Sequence, residues 1–540
     1  MKSTCYSSLA VAVASLLTSA CSNPASRAER AQGAATAVQS PSTNATNATL
    51  LIDREVDALW KQARVTPAPD ASDSEFLRRV TLDVAGRTPT PAEVTSFLAD
   101  RSPAKREALV DRLLMSDEYA QHWAELYADA IVGRTVRVRP RYPRSTIEWF
   151  EAAFREGRPM DQMARELITA RGPLAENGAV GYVVGNRLRG GSLETLAGDT
   201  ARFFLGLKIQ CAQCHDHPTD KRWKKADFAE FAAFFGEITL KKTEKKSLKF
   251  VVSDVNFGFQ GKPAAKIAAR QVTSRFLGTE VHPARDELRR DALARLLPRS
   301  PLFSRAAVGR TWDQLFGRGI VDPWDDLGAE DDPRQPPLLR HLADEFVKSG
   351  FNHRWLVKAI IMSKAYGRSS RGGSPADPTK LEAVFARAAV RPLTADQLFD
   401  SLLLVTGSEA SSDRRMERWK NEDRKNRELR QYLLTFDDEE GDESDVFSGS
   451  IPQALLLRNG GLTNSGSRAL EGTVLSRILE KSKDPSKRLD QMFLTCFARL
   501  PEADERAQLL DYLGTAGSRN GAYESIFHAM ITSTEFTTNH

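Results

Sequence analysis

Leu193-Glu-Thr-Leu-Ala-Gly-Asp-Thr-Ala-Arg-Phe-Phe-Leu-Gly-Leu-Lys-Ile-Gln-Cys-Ala-Gln-Cys-His-Asp-His-Pro218 carries two signals in succession. Leu196, Phe204 and Leu207 recur at helical spacing, which predicts an amphipathic helix over 193–210. That helix delivers the chain directly to Cys211. The same three- and four-residue spacing recurs on both sides of the stretch. It predicts helices over 75–84, 91–98 and 105–115, then 227–235, 289–297, 304–316, 337–348, 352–363 and 394–405. Thr90-Pro-Ala-Glu93 reads as a helix start, with Thr90 as cap, Pro91 at the first helical position and Glu93 reaching back. The fold class expected is mainly α.

Cys211, Cys214 and His215 form a Cys-x-x-Cys-His motif, uncommon by chance in a chain with five cysteines and eight histidines. Two thiols at this spacing can each add across one vinyl group of a haem, with the adjacent histidine beneath the ring as iron ligand. Two other readings stay open. The cysteines can close a local disulfide, or they can hold zinc with His215 or His217. A haem crevice needs apolar walls, and Phe203, Phe204, Phe231, Phe234 and Phe235 are the nearest supply in sequence. Asp216 and Asp220 either orient the histidines or cap turns.

The N-terminus sets the compartment. Lys2 precedes an apolar core at Leu9–Leu17, and the small residues Thr18-Ser-Ala20 lead to Cys21. The core is too short to span a bilayer and reads as a signal peptide, 1–20. A cysteine at this place is the expected site of lipidation, so Cys21 becomes the lipid-anchored first residue. The alternative is an ordinary secretory signal cut near Ala20. Ser22 is not an aspartate, which favours the outer over the inner membrane. Residues 21–49, rich in Ala, Ser, Thr and Asn, read as a disordered tether. Export is also what covalent haem attachment requires in bacteria.

Between about Leu240 and 282 the pattern changes. Leu248–Phe259 partly alternates and is rich in Val and Phe, and Ile267–Phe276 holds a second strand candidate. The chain is therefore expected to contain a helical domain at 50–239, a small β insertion at 240–282 and a second helical domain at 283–540. No repeat period is present. Lys and Arg number 76 against 71 Asp and Glu, a net charge of +5. A surplus that small and dispersed gives no electrostatic case for nucleic acid. Arg414–Arg430 reads as a solvated helix, and the acidic run Asp437–Asp445 as a solvated loop without calcium-loop spacing.

Several longer words resemble a known family. Phe76-Leu-Arg-Arg-Val-Thr-Leu-Asp83, Gly86-Arg-Thr-Pro-Thr-Pro91, Ala104-Lys-Arg106 and Cys211–Pro218 are similar to the planctomycete-type cytochrome-c-like domain known as domain of unknown function 1549. Phe303-Ser-Arg-Ala-Ala-Val308, Trp312–Pro323, Glu345–Phe351, Arg391–Gln397 and Ile451-Pro-Gln-Ala-Leu455 are similar to its usual partner, domain of unknown function 1553. The resemblance covers roughly residues 50–540 and implies no assigned reaction. Two features depart from it. No separate small cytochrome domain precedes the first domain, and Gly309-Arg-Thr311 stands before Trp312 where Asn-Arg is usual.

A haem at Cys211, Cys214 and His215 raises the question of a sixth ligand. No methionine lies between Met163 and Met362, so the methionine expected some tens of residues after the histidine is missing. His122, His282 and Met362 are the distant candidates. His217 shares the turn of His215 and is expected to cap local backbone or meet a propionate. No Gly-x-Ser-x-Gly elbow, Walker loop or His-Glu-x-x-His word occurs, and Cys496 sits in an apolar helix as core.

The sequence thus leads to an exported envelope lipoprotein with haem c and electron transfer at Cys211, Cys214 and His215, through a redox protein partner. The alternative is a non-redox binding or scaffold protein, with zinc or a disulfide at the cluster and a protein or glycan as partner.

Overall fold

The computed structural model describes residues 42–540 apart from 134–135, 137–143, 219, 244–248, 256–271, 376, 408–421 and 437–449. The signal segment, Cys21, most of the expected tether and the acidic run at 437–445 lie outside the described residues.

Local sequence accounts for most helix boundaries. Ser72 caps Asp73–Ala85 by accepting from the Glu75 N–H, and the helix stops at Gly86 in the left-handed region, φ 69°. Thr90 and Glu93 form the expected capping box on Pro91–Ala99. Helices also span Lys105–Leu114, Asp117–Val132, Ser145–Glu156 and Met160–Thr169. Later ones span Pro301–Phe316, Pro337–Lys348, His353–Ile361 and Ala395–Thr406. The protein is predominantly helical, as its periodicity predicts.

The first described helix, Ser42–Ala63, starts inside the segment expected to be tether. Ala45 and Ala48 are buried there, and Thr49 Oγ1 donates to the Ala359 carbonyl at 3.1 Å. Small residues that look like linker are here the ones that let two helices approach closely. The helix Glu422–Thr435 overlaps the expected solvated helix, but it buries Tyr432 and Leu433.

A three-stranded antiparallel sheet has the order β1-β3-β2, with β1 at Gly172–Pro173, β2 at Ile238–Lys242 and β3 at Phe250–Asp254. Its register pairs Leu240 and Gly172 with Val252 from either side. The β segment thus exists, but it recruits an edge from the preceding helical region. Residues 272–276, the described end of the second strand candidate, form no strand. A two-residue pair, β4 at Arg391–Pro392 and β5 at Thr538–Asn539, ties the chain's end back to its middle.

The apolar packing does not divide at the β segment. One core draws on residues from Ala45 to Ala386, joined by Leu494 and Ala498, and takes residues from both sides of it, among them Ile52, Trp123, Phe204, Trp312 and Phe346. A second core gathers Leu393 to Phe536 together with Leu82. The residues from Pro41 onward cluster as one unit. The expected division into helical domains at 50–239 and 283–540 is therefore a division of sequence and not of packing. The Ser42–Ala63 helix buries its apolar face against the helices 337–348 and 353–361, and Trp60 Nε1 donates to the Val384 carbonyl at 2.9 Å. Cys496 is buried in the second core, and burial pushes its thiol pKa up. Among the described residues no helix is long and apolar enough to cross a membrane.

Candidate functional site

The helix leading to the motif is Leu193–Leu205, held at its start by a capping box between Ser192 and Thr195. It stops five residues short of the predicted end because Gly206 takes φ 65°. A Cβ on Gly206 would stand 2.7 Å from Leu327 Cδ1, while its carbonyl accepts the Leu327 N–H at 2.9 Å. Glycine is required there by both conformation and space. The chain then turns through a short 3₁₀ helix, Gln210–Gln213. Ile209 and Ala212 are buried and pin this turn to the core, which leaves Cys211 and Cys214 on its outer side.

Both cysteines are exposed and unbridged. His215 is exposed, its Nδ1 lies 2.8 Å from the Asp216 carbonyl, and its Nε2 has no partner among the described residues. His217 is fixed differently. Its Nδ1 accepts the Asp220 N–H at 3.0 Å, so Nε2 carries the proton it donates to the Lys208 carbonyl, also at 3.0 Å. Both ring nitrogens are thus spent on backbone, the local capping role expected of it. Asp216 caps as well, accepting from the Lys225 N–H at the start of the helix Lys225–Ala232. Asp220 pairs with Arg222 through two bonds of 2.8 Å, and these hold its carboxyl below the usual range.

These atoms meet part of what a covalent haem requires. Two open thiols and a histidine with one nitrogen held by a carbonyl fit thioether attachment and axial ligation. The expected apolar walls do not form there. Phe203, Phe204, Phe231, Phe234 and Phe235 are all buried in the first core, with Arg310 packed on the Phe203 ring at 3.8 Å and Phe204 stacked on Phe303. A phenylalanine stripe beside a helix is core first, and the rest of the chain claims it. His122 is buried against Gly86, His282 Nδ1 lies 2.7 Å from the Ser274 carbonyl, and Met362 packs against the first core. For zinc, Cys211, Cys214, His215 and His217 do not converge: no group of three or more such side chains fit to hold a metal ion occurs among the described residues.

Sequence reasoning missed what lies next to the motif. A polar cleft of about 380 Å³ opens at His217 and is completed by Asp326, Gly328, Asp332 and Arg334. Arg222 joins its two sides, reaching Asp332 Oδ2 at 3.1 Å. Hydrogen bonds from Arg334, aided by Arg222 and opposed by burial, hold the Asp332 carboxyl at about 2. Nothing in local spacing announces a contact between residues more than a hundred positions apart. The only hint is the dense charge of Trp324–Arg334 around one glycine.

Two family descriptions match the chain. PSCyt2, a protein of unknown function (DUF1549), matches residues 51–239, and PSD1, a protein of unknown function (DUF1553), matches residues 289–513. No curated protein and no solved structure matches it.

Proposed function

Because the chain belongs to the family that joins these two domains of unknown function in this order, we propose that it is an exported envelope protein that carries haem at Cys211 and Cys214 and passes electrons to a redox partner. The observation that supports this is the turn at 210–215, which presents two unbridged thiols and an imidazole with Nδ1 on a carbonyl and Nε2 open. When bound, a haem supplies one-electron chemistry. The chain's own part is to offer two thiols for addition to vinyl groups, to orient His215 through the Asp216 carbonyl, and to hold the turn on Ile209 and Ala212. Anchoring through a lipid on Cys21, at the outer rather than the inner membrane, belongs to the same proposal.

The test is a reduced absorption spectrum and a haem-stained denaturing gel, using full-length protein made in a host that matures c-type cytochromes. A sharp visible band and a stain that disappear in Cys211→Ala with Cys214→Ala support the proposal. Their absence from the parent protein overturns it. Mass spectrometry of the mature N-terminus tests the anchor, and an unmodified Ser22 or Ala20 terminus overturns that part.

A second reading is favoured by the buried phenylalanines and the charged cleft: a non-redox envelope protein that binds a protein or glycan, its cysteines closing a disulfide. Thiol titration of freshly isolated protein separates the two. Two blocked thiols without haem colour favour the second.

A further inference from the structure

The cleft beside the motif has the composition of a binding site, and its ion pairing narrows what fits. Lys208, Arg222 and Arg334 face it, and so do Asp220, Asp326 and Asp332. Lys208 is itself paired with Asp325, and Asp331 stands near Arg222, so every cation is already answered by a carboxylate and none is left over for an anion; nor does any group of three such side chains converge to hold a metal ion among the described residues. The pairs are made within the protein: Arg222 with Asp220 and Asp332, and Arg334 with Asp332 and Asp326. A zwitterion would have to displace an existing carboxylate from Arg222. A hydroxyl group need not, because it accepts from one side chain and donates to a remaining lone pair of another.

The cleft is also built in advance. Gly328 sits at φ 72°, and a Cβ there would stand 2.1 Å from Asp332 Oδ2 and 2.9 Å from Arg334 Nη2, so only glycine lets this ion pair pack down onto the turn. Gln335, nearly fully buried, donates to the carbonyls of Leu327 and Ala329 at 3.0 and 2.8 Å and accepts from Arg305. These bonds fix the loop, and His217 is fixed through both ring nitrogens. Leu207 and Trp223 supply the apolar part of the wall. The volume of about 380 Å³ lies within the roughly 300–1,000 Å³ of small-molecule sites.

We propose that this cleft is a saccharide subsite that takes a neutral sugar ring beside the cysteine pair. Planar carboxylates and guanidiniums meet the hydroxyls, and Leu207 and Trp223 meet the C–H face. The inference does not depend on haem.

The test uses the full chain with glucose, N-acetylglucosamine, cellobiose and chitobiose as probes, and glutamate and inorganic phosphate as counter-probes. Binding is read by saturation-transfer NMR and titration calorimetry. One of the sugars is expected to bind with Kd of about 1 mM or tighter. Arg222→Gln and Asp326→Asn, each checked for an unchanged melting curve, are expected to weaken it tenfold or more. Trp223→Phe should remove a sugar-induced fluorescence change. Cys211→Ser with Cys214→Ser should leave binding intact, which separates this site from the haem proposal. The inference is overturned if no sugar binds, if glutamate or phosphate binds in preference, or if both charge variants bind as the parent does.

Discussion

Arg78 Nη2 donates to the main-chain carbonyl of Phe536 at 2.8 Å, and through it the helix Asp73–Ala85 grips the end of the chain. The same guanidinium reaches the Cys496 carbonyl at 3.1 Å and the Glu535 carbonyl at 3.0 Å. Next to it, Asp83 accepts from Arg391 and Asn539, each at 2.8 Å, and from the Tyr366 hydroxyl at 2.7 Å. The motif word Phe76–Asp83 is thus the clasp that joins the two cores.

Arg78→Met should cost about 3 kcal/mol or more, because it strands several buried carbonyls without a donor. Urea unfolding checks this. A loss below about 1 kcal/mol would show that the clasp adds little.

Stability should fall as pH drops from neutral. Burial, reinforced by Arg310 and Arg354, holds His353 at about 3. Burial outweighs Asp396 to hold His122 at about 4. Both stay neutral in the folded chain while the unfolded chain takes up protons below about 6.5. Their contribution is complete above that pH and is lost progressively toward pH 4, by up to about 1.4 kcal/mol per pH unit for each histidine. His122→Gln with His353→Gln should flatten the slope of melting temperature between pH 6.5 and 4. An unchanged slope would assign it to other groups.

Gly206→Ala should destabilise the protein by about 1–2 kcal/mol from the left-handed backbone alone, with more from the clash against Leu327. Proteolysis around residues 206–218 should rise with it. Thermal melting and limited proteolysis read the two effects.

On the haem proposal, His215→Ala should keep the thioether stain on a denaturing gel but lose the sharp band of the reduced protein, since attachment and ligation use different atoms. A parent-like spectrum from this variant would remove His215 as the ligand.

How much could be read in advance follows the range of each interaction. Thr90 with Glu93 and Ser72 with Glu75 act within one helical turn, so periodicity and caps located most helices. The Cys211–His215 word was legible for the same reason, whereas His217 was left open between backbone, propionate and zinc until Lys208 and Asp220 claimed both its ring nitrogens. The phenylalanine stripe could not be assigned this way, because Phe204 becomes core only when Phe303 arrives to stack on it. The linker-like start of the Ser42–Ala63 helix likewise gains its place from Ala359. Periodicity, caps and one short motif suffice for a mainly helical chain with a thiol–imidazole turn. That one core spans the β segment, and that the motif borders a charged cleft, emerges only when the chain packs, because contacts across a hundred or more residues leave no mark on local spacing.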